Sequence, residues 1–321
     1  MDQLRAMRVL ARVVDEGGFA KAARTLDMAP PVVTRVVADL EAHLGARLLN
    51  RTTRRITLTE VGERYLEKVR AILVDVDESD AMASEATKEP RGHLRVLSPP
   101  AMAVHQLAKH LPRFHARYPL VSVSIDAPVI VETVDEAYDV TIIFTRHALS
   151  GEFIARRLAR SEVIVCAAPE YLDKRGRPQH PSELAGHEAL LPAVSDLQRG
   201  LTFYCGQWGD DEPAGEHYTF VPERRAVLST SHIDVNYAAA LAGLGIAGLP
   251  SFVVEDALVE HALERVLPKW RLFSGSLWAA MPTRQHVPAR TRVFLDFLVQ
   301  TFGGEDKDPW LAAAGCATPS A

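Results

Sequence analysis

The chain has 321 residues, 47% apolar and 24% charged, which is the balance of a folded globular protein with room for two domains of ~150 residues and a small appended unit. No apolar run reaches the roughly 18 residues that span a bilayer, and the opening stretch MDQLRAMRVLARVVDEGG, acidic at Asp2 and studded with arginine, lacks the form of a signal peptide, so a cytoplasmic chain with no membrane partner is expected. The net charge of −5 is uneven: residues 1–60 carry ten Lys/Arg against seven Asp/Glu, the remainder 26 against 34, and a basic head on an acidic body suits an anionic polymer as the head's partner.

Leu4, Met7, Ala11 and Val14 follow the 3-4-3 spacing of one helical face, ended by Gly17-Gly18. Phe19, Ala22, Ala23 and Leu26 mark a second short helix. Pro30-Pro31 suits the first turn of a third, where a missing N–H costs nothing, with Val33, Val36, Val37, Leu40 and Leu44 on its buried face and Gly45 closing it. Two helices joined by a tight turn and braced by another element form a helix-turn-helix. The segment 47–59 alternates around a basic tip and predicts a two-stranded wing turning near 52–54. Thr59 caps a long helix with Glu60 and Glu63 in its first turn. Its stripe of Val61, Tyr65, Val69, Ile72, Val76 and Ala83 has no evident partner in neighbouring segments, so these residues are expected to pair with a second copy of the chain.

Thr87 to Gly92 is a polar hinge containing Pro90. Beyond it, short β-rich runs at 93–97, 121–125, 140–144, 163–167, 225–228 and 276–281 alternate with helical stretches such as 102–118 and 235–242, which predicts an α/β domain with mainly parallel sheets. A last helix spans 289–302, and the Gly/Asp/Pro-containing residues 303–321 are expected to be a disordered tail.

Several motifs stand together at fixed spacing: Ala22-Ala23-x-x-Leu26, Arg35 after a small hydroxyl, Leu40-Glu41, Gly45, Leu48-Leu49-x-Arg51-Thr52 and Leu58-Thr59-Glu60-x-Gly62. The body adds Arg91-Gly92-x-Leu94-Arg95-Val96, Tyr138-Asp139-Val140, Pro169-x-Tyr171-Leu172 and the run Ala242 to Pro250. In this combination the chain, from residue 1 to about 302, resembles a full-length LysR-type transcriptional regulator. The resemblance implies a winged helix-turn-helix over 1–59 and a dimerising linker helix over 60–89. It further implies a two-lobed effector domain like a type 2 periplasmic binding protein over 90–302, with lobe I near 92–160 and 270–302 and lobe II near 162–268. The partners it implies are double-stranded promoter DNA, a small-molecule effector and the chain itself, as a dimer or tetramer. Two positions depart from the family pattern: Ala29 replaces a common serine, and Asp39 faces outward where a basic residue is frequent.

Helix geometry gives the head a mechanism of its own. With the buried face assigned, Pro31, Thr34, Arg35 and Ala38 point outward, and such a helix fits the major groove. Arg35 is suited to bidentate contact with guanine, and Pro31, Val32 and Thr34 to a thymine methyl or a phosphate. Arg51, Thr53, Arg54 and Arg55 on the wing suit phosphate or the minor groove. In the body, the chain is expected to cross between lobes near 160–162 and 268–270, leaving a cleft. Ser98, Ala101 and Met102 at one strand-to-helix junction, Thr230 and Ser231 at another, Thr145 at a strand end and Phe203 as an apolar wall are its candidate effector residues.

Enzyme and cofactor chemistry find no footing. There is no GxSxG elbow or Walker loop, and Gly243-x-Gly245-x-x-Gly248 leads from helix to strand, the reverse of a dinucleotide site. Cys166, Cys205 and Cys316 lie far apart, and His105, His110 and His115 share no helical face, so no metal and no other cofactor is expected. The reading is a regulator modulated by a small anionic metabolite. Its rivals are a cytoplasmic small-molecule-binding protein and a nonspecific DNA-bridging protein with a vestigial cleft.

Overall fold

The computed structural model describes residues 2–51, 56–83, 89–193, 200–205, 216–222, 225–282 and 287–316. They fall into two compact units, Met1–Lys88 and Glu89–Ala321. The first contains α1 (Gln3–Asp15), α2 (Phe19–Thr25), α3 (Pro30–Leu44), the antiparallel pair β1 (Leu49–Arg51) and β2 (Ile56–Leu58), and α4 (Glu60–Ala83). Asp2 caps α1 by accepting the Arg5 N–H at 3.0 Å. Gly45, at φ +64°, ends α3 in the left-handed region that a side chain would strain. Leu10, Val13, Ala23, Val33, Val37 and Leu48 form the core between these elements. The stripe expected on α1 is rotated: Leu4 is exposed while Ala6, Leu10 and Val13 are buried, because α2, α3 and α4 all pack against this helix.

The motif residues of the head are structural. Glu41 Oε1 accepts the backbone N–H groups of Leu48 and Leu49 at 2.8 and 3.0 Å, tying α3 to the wing. Thr59 Oγ1 donates to the Arg47 carbonyl at 2.8 Å and accepts the Gly62 N–H at 2.9 Å, starting α4. A Cβ on Gly62 would lie 2.1 Å from the Leu48 carbonyl oxygen, so no other residue fits there.

Helix α4 corrects the expectation that its apolar stripe lacks a partner in its own chain. Val69 is fully buried, Tyr65 packs on the head core, and Arg70 reaches Asp15 of α1 at 2.6 Å. Val61 and Ile72 remain 54% and 41% exposed. At 100° per residue, Leu66 and Val69 turn to one side of the line through Val61 and Ile72, so α1 covers one edge of the stripe and leaves the other open.

The body is a mixed structure, not a mainly parallel one. In lobe I, β3 (Gly92–Leu97) pairs in parallel with β4 (Val121–Asp126) and β5 (Val140–Thr145). In lobe II, β7 (Ala189–Pro192) pairs in parallel with β10 (Leu228–Thr230) and β11 (Ile246–Pro250). Two long antiparallel strands, β6 (Phe153–Ala167) and β14 (Phe273–Pro282), run through both lobes and join these ladders into one nine-stranded sheet, whose last member β12 (Glu264–Val266) pairs with β6. A separate three-stranded sheet combines β8 (Leu201–Cys205), β9 (His217–Phe220) and β13 (Trp270–Arg271). Strand β6 begins ten residues before the expected run at 163, because Arg156, Arg157, Arg160 and Glu162 interrupt its apolar character.

Helices cover the sheets: α5 (Pro100–Met102), a π-helical turn (Ala103–Leu107) and α6 (Ala108–Arg117) in succession, then α7 (Pro169–Arg175), α8 (Ile233–Leu241), α9 (Ser251–Val259) and α10 (Ala289–Phe302). The tail also departs from expectation. Residues 303–316 are ordered around α11 (Pro309–Ala313), whose Trp310 and Leu311 are buried in the main core. Among the described residues no helix is long and apolar enough to cross a membrane.

Candidate nucleic-acid interface and effector cavity

Helix α3 has one anchored face and one open face. Val33, Val37 and Leu40 are fully buried, while Pro31, Val32, Arg35 and Asp39 are exposed. The Arg35 side chain is 83% exposed, with Nε 4.0 Å from Asp39 Oδ2. A solvated pair at that distance contributes little and does not hold the guanidinium back. Thr34 Oγ1 donates to the Pro30 carbonyl at 3.1 Å, so its proton is spent within the helix. Phosphate is itself an acceptor, so this hydroxyl has no second proton to offer one. Ala29 is the N-cap of α3 and supplies no side-chain bond. On the wing, the Arg51 backbone is paired with Ile56. The Arg51 side chain and the candidates Thr53, Arg54 and Arg55 lie outside the described residues.

The expected effector residues lie on several different elements. Ser98 directly follows β3, fully buried, with its N–H on the Asp126 carbonyl at 3.0 Å and its hydroxyl on the Pro99 carbonyl at 3.2 Å. Ala101 and Met102 belong to the core, where the turn into α5 drives them inward. Thr145, at the end of β5, accepts the His147 N–H at 3.1 Å. Thr230 ends the edge strand β10, at the opposite side of the sheet's lobe II half, and accepts the His232 N–H at 3.1 Å. The exposed Ser231 lies two residues before α8, which starts at Ile233 with His232 as its cap.

Phe203 behaves differently. It is 1% exposed and lines a cavity of about 330 Å³ between the sheet of lobe II and the three-stranded sheet. Val163, Val165, Ile246, Leu272 and Phe273 give this cavity an apolar wall. Arg146, one residue beyond β5, reaches the same wall, its guanidinium carbon 4.9 Å from the Phe273 ring centroid. His187 lines the wall as well; burial first, then the nearby positive charge of Arg175, hold its pKa below the usual range. Arg146 was missed in the sequence, although a cation directly after the predicted strand end at Thr145 was the available signal. None of Ser98, Thr145 or Thr230 lines this cavity.

Cys166 is buried and its Sγ donates to the Ala247 carbonyl at 3.7 Å; burial pushes the thiol up to about 12, which makes it unreactive. Among the described residues no group of three or more His, Cys, Asp or Glu gathers around a metal position.

A head that presents one helix face, on a chain whose body is a two-lobed binding fold, defines a ligand-responsive DNA-binding regulator. The family description "Bacterial regulatory helix-turn-helix protein, lysR family" matches residues 4–63, and "LysR substrate binding domain" matches residues 87–303. The chain belongs to the LysR family of bacterial transcriptional regulators. It is 32% identical over 316 residues to an HTH-type transcriptional repressor of Pseudomonas aeruginosa, covering 94% of this chain and 93% of that one. It is 33% identical over 305 residues to the transcriptional regulator CrgA of Neisseria meningitidis, covering 92% and 96%. The solved structure of CrgA matches with a TM-score of 0.56 at 31% identity, over 93% of this chain and 98% of that one. The full-length Vibrio cholerae virulence activator AphB shares the fold, with a TM-score of 0.56 at 23% identity over 93% and 99%.

Proposed function

We propose that this regulator is a non-catalytic, cytoplasmic protein that reads promoter DNA with α3 and the wing, assembles as a dimer or tetramer through α4, and changes its DNA complex when a small organic anion enters the cavity beside Arg146. The observation that carries the DNA reading is the 83% exposed Arg35 side chain on a helix anchored by Val33, Val37 and Leu40. Arg35 makes a bidentate contact to guanine, Pro31, Val32 and Thr34 supply apolar contact, Arg51, Arg54 and Arg55 neutralise the flanking phosphates, and Thr53 donates a hydrogen bond to them. Arg35→Ala is expected to lose about 1–3 kcal/mol of discrimination between an operator selected from random duplexes and a scrambled duplex, with nonspecific binding retained. Wild-type discrimination in this variant would remove α3 from the reading role.

The effector half rests on the cavity. An apolar wall with one guanidinium at its edge fits an anion with an apolar body, such as an aromatic or medium-chain carboxylate. Ser98, Ala101, Met102, Thr145, Thr230 and Ser231 then act by shaping the strand ends and core around the lobes. Benzoate and hexanoate are the probes, with benzamide as the uncharged control. Binding of the anions, weakened about tenfold or more by Arg146→Met, supports the assignment; equal binding of benzamide and benzoate rejects it.

A further inference from the structure

The floor of the effector cavity is a stretch of sheet in the strand order β7, β11, β6, β14. Arg146 enters on the β14 side, over the ring of Phe273. His187 enters on the β7 side, two residues before Ala189, which lies opposite Ile246 of β11. Three strand spacings, about 14 Å between backbones, separate the two sides. Between them β11 presents Gly248, paired with Val165, so no side chain from that position divides the space. The two sides also differ in charge. On the His187 side the carboxylate of Glu188, another wall residue, lies 3.7 Å from Arg175 and offsets it, so Arg175 does not make a second anion site there.

The His187 ring is held by its own surroundings. The residue follows a 3-10 turn (Pro181–Gly186), and its backbone N–H donates to the Leu184 carbonyl at 3.0 Å. Its Nδ1 lies 3.3 Å from the Tyr171 hydroxyl, which accepts the Glu188 N–H at 2.8 Å. Tyr171 is buried, and a buried hydroxyl that accepts one bond still has a proton to place. The acceptor within reach is His187 Nδ1. A neutral imidazole that accepts at Nδ1 carries its own proton on Nε2. Among the described residues Nε2 has no partner, although the ring lines the cavity. The hydroxyl of Thr202, also in the wall, is bonded to Thr219 at 3.0 Å. We infer that His187 is a specificity-determining residue: its Nε2–H donates to an uncharged oxygen at one end of the effector while Arg146 holds the carboxylate at the other, which makes the effector a carboxylate bearing a remote carbonyl group. Tyr171 is then a positioning residue that acts through the tautomer of His187.

The inference rests on the effector reading and deepens it: Arg146 fixes the acid, and His187 selects among acids. Its test titrates the full-length protein, at about pH 7.5, with pairs matched apart from the carbonyl oxygen. These are 4-acetylbenzoate against 4-isopropylbenzoate, and 7-oxooctanoate against octanoate. Calorimetry is expected to show about three- to tenfold tighter binding of the carbonyl member in at least one pair. His187→Phe keeps a ring but no donor and should erase that preference, while the apolar members still bind through Arg146. Tyr171→Phe should lower the preference and leave octanoate binding unchanged. Nitrogen-15 NMR of the histidine rings, with the His187 signals identified by their loss in His187→Phe, should show the Nε2–H tautomer in the wild type and a mixture in Tyr171→Phe. Equal binding within both pairs, a preference that survives His187→Phe, or a wild-type His187 protonated on Nδ1 overturns the inference. Acids that do not bind, or that bind regardless of Arg146→Met, instead remove the effector reading beneath it.

Discussion

In the head, the bonds that define the fold close over short stretches of chain: Glu41 reaches Leu48 and Leu49 seven and eight residues on, and Thr59 reaches back twelve to Arg47. In the body, the corresponding bonds are distant: Glu162 meets Arg265 across 103 residues, Arg271 across 109 and Asp308 across 146. Short loops order little chain for each bond made, so the head is assembled from local signals, whereas the body needs its lobes in place before its buried charges can pair. Exposure follows the same divide. Arg35 and Asp39 stand in solvent, while Glu162 and Arg271 are enclosed. Arg35 in the head is open to an outside partner; Glu162 and Arg271 in the body are committed to architecture.

The largest test of that contrast is Glu162→Ala, which leaves Arg265 and Arg271 without their shared carboxylate. It is expected to cost about 3–5 kcal/mol of stability, seen as a lower urea midpoint for the body. A change within error would mean the buried cluster carries no architectural weight. Within α4, Val69→Glu is expected to cost several kcal/mol, roughly what burial of an unpaired carboxylate costs, by disrupting the contact with α1, whereas Ile72→Glu should leave the head's melting temperature near wild type and reduce the oligomer mass in sedimentation. Reversal of these two results would place the oligomer face on the Val69 side. The smallest effect belongs to the exposed pair: Asp39→Asn should tighten duplex binding about two- to fivefold at low salt and lose that gain at high salt. A loosened complex would show that Asp39 orients Arg35.

Legibility in the sequence tracks the same divide. The helix-turn-helix, the wing and the bounds of α10 at 289 and 302 were visible, because apolar spacing and flanking Pro or Gly set them locally. Strand β6 was half hidden, since the crossing between lobes carries arginines and Glu162 whose partners come from β12 and β13. The segment after α10 read as a tail because two large apolar residues, Trp310 and Leu311, amid Gly, Asp, Pro and Ala signal nothing by themselves; Trp310 is buried only once Phe252 and Phe302 stand beside it. The cavity was legible in one residue, Phe203. Its other walls come from β6, β11 and the stretch entering β14, and no periodicity in one segment reports a space enclosed by several. On α4 the sequence showed one apolar stripe, but not that α1 would cover Val69 and leave Val61 and Ile72 exposed, because the two helices are far apart in the chain.

The order of the strands has a consequence for synthesis. Everything in the head core has left the ribosome once α4 follows the wing, and the head can then fold. The sheet of the body stays incomplete until β14 arrives to pair with β5 and β6, and its core stays open until Trp310 and Leu311 follow. At ~5–20 residues per second, a finished DNA-binding head therefore waits many seconds beside an unfinished body. In a bacterium, where messages are translated as they are transcribed, a nascent regulator has its helix-turn-helix folded near the chromosome before its other half exists.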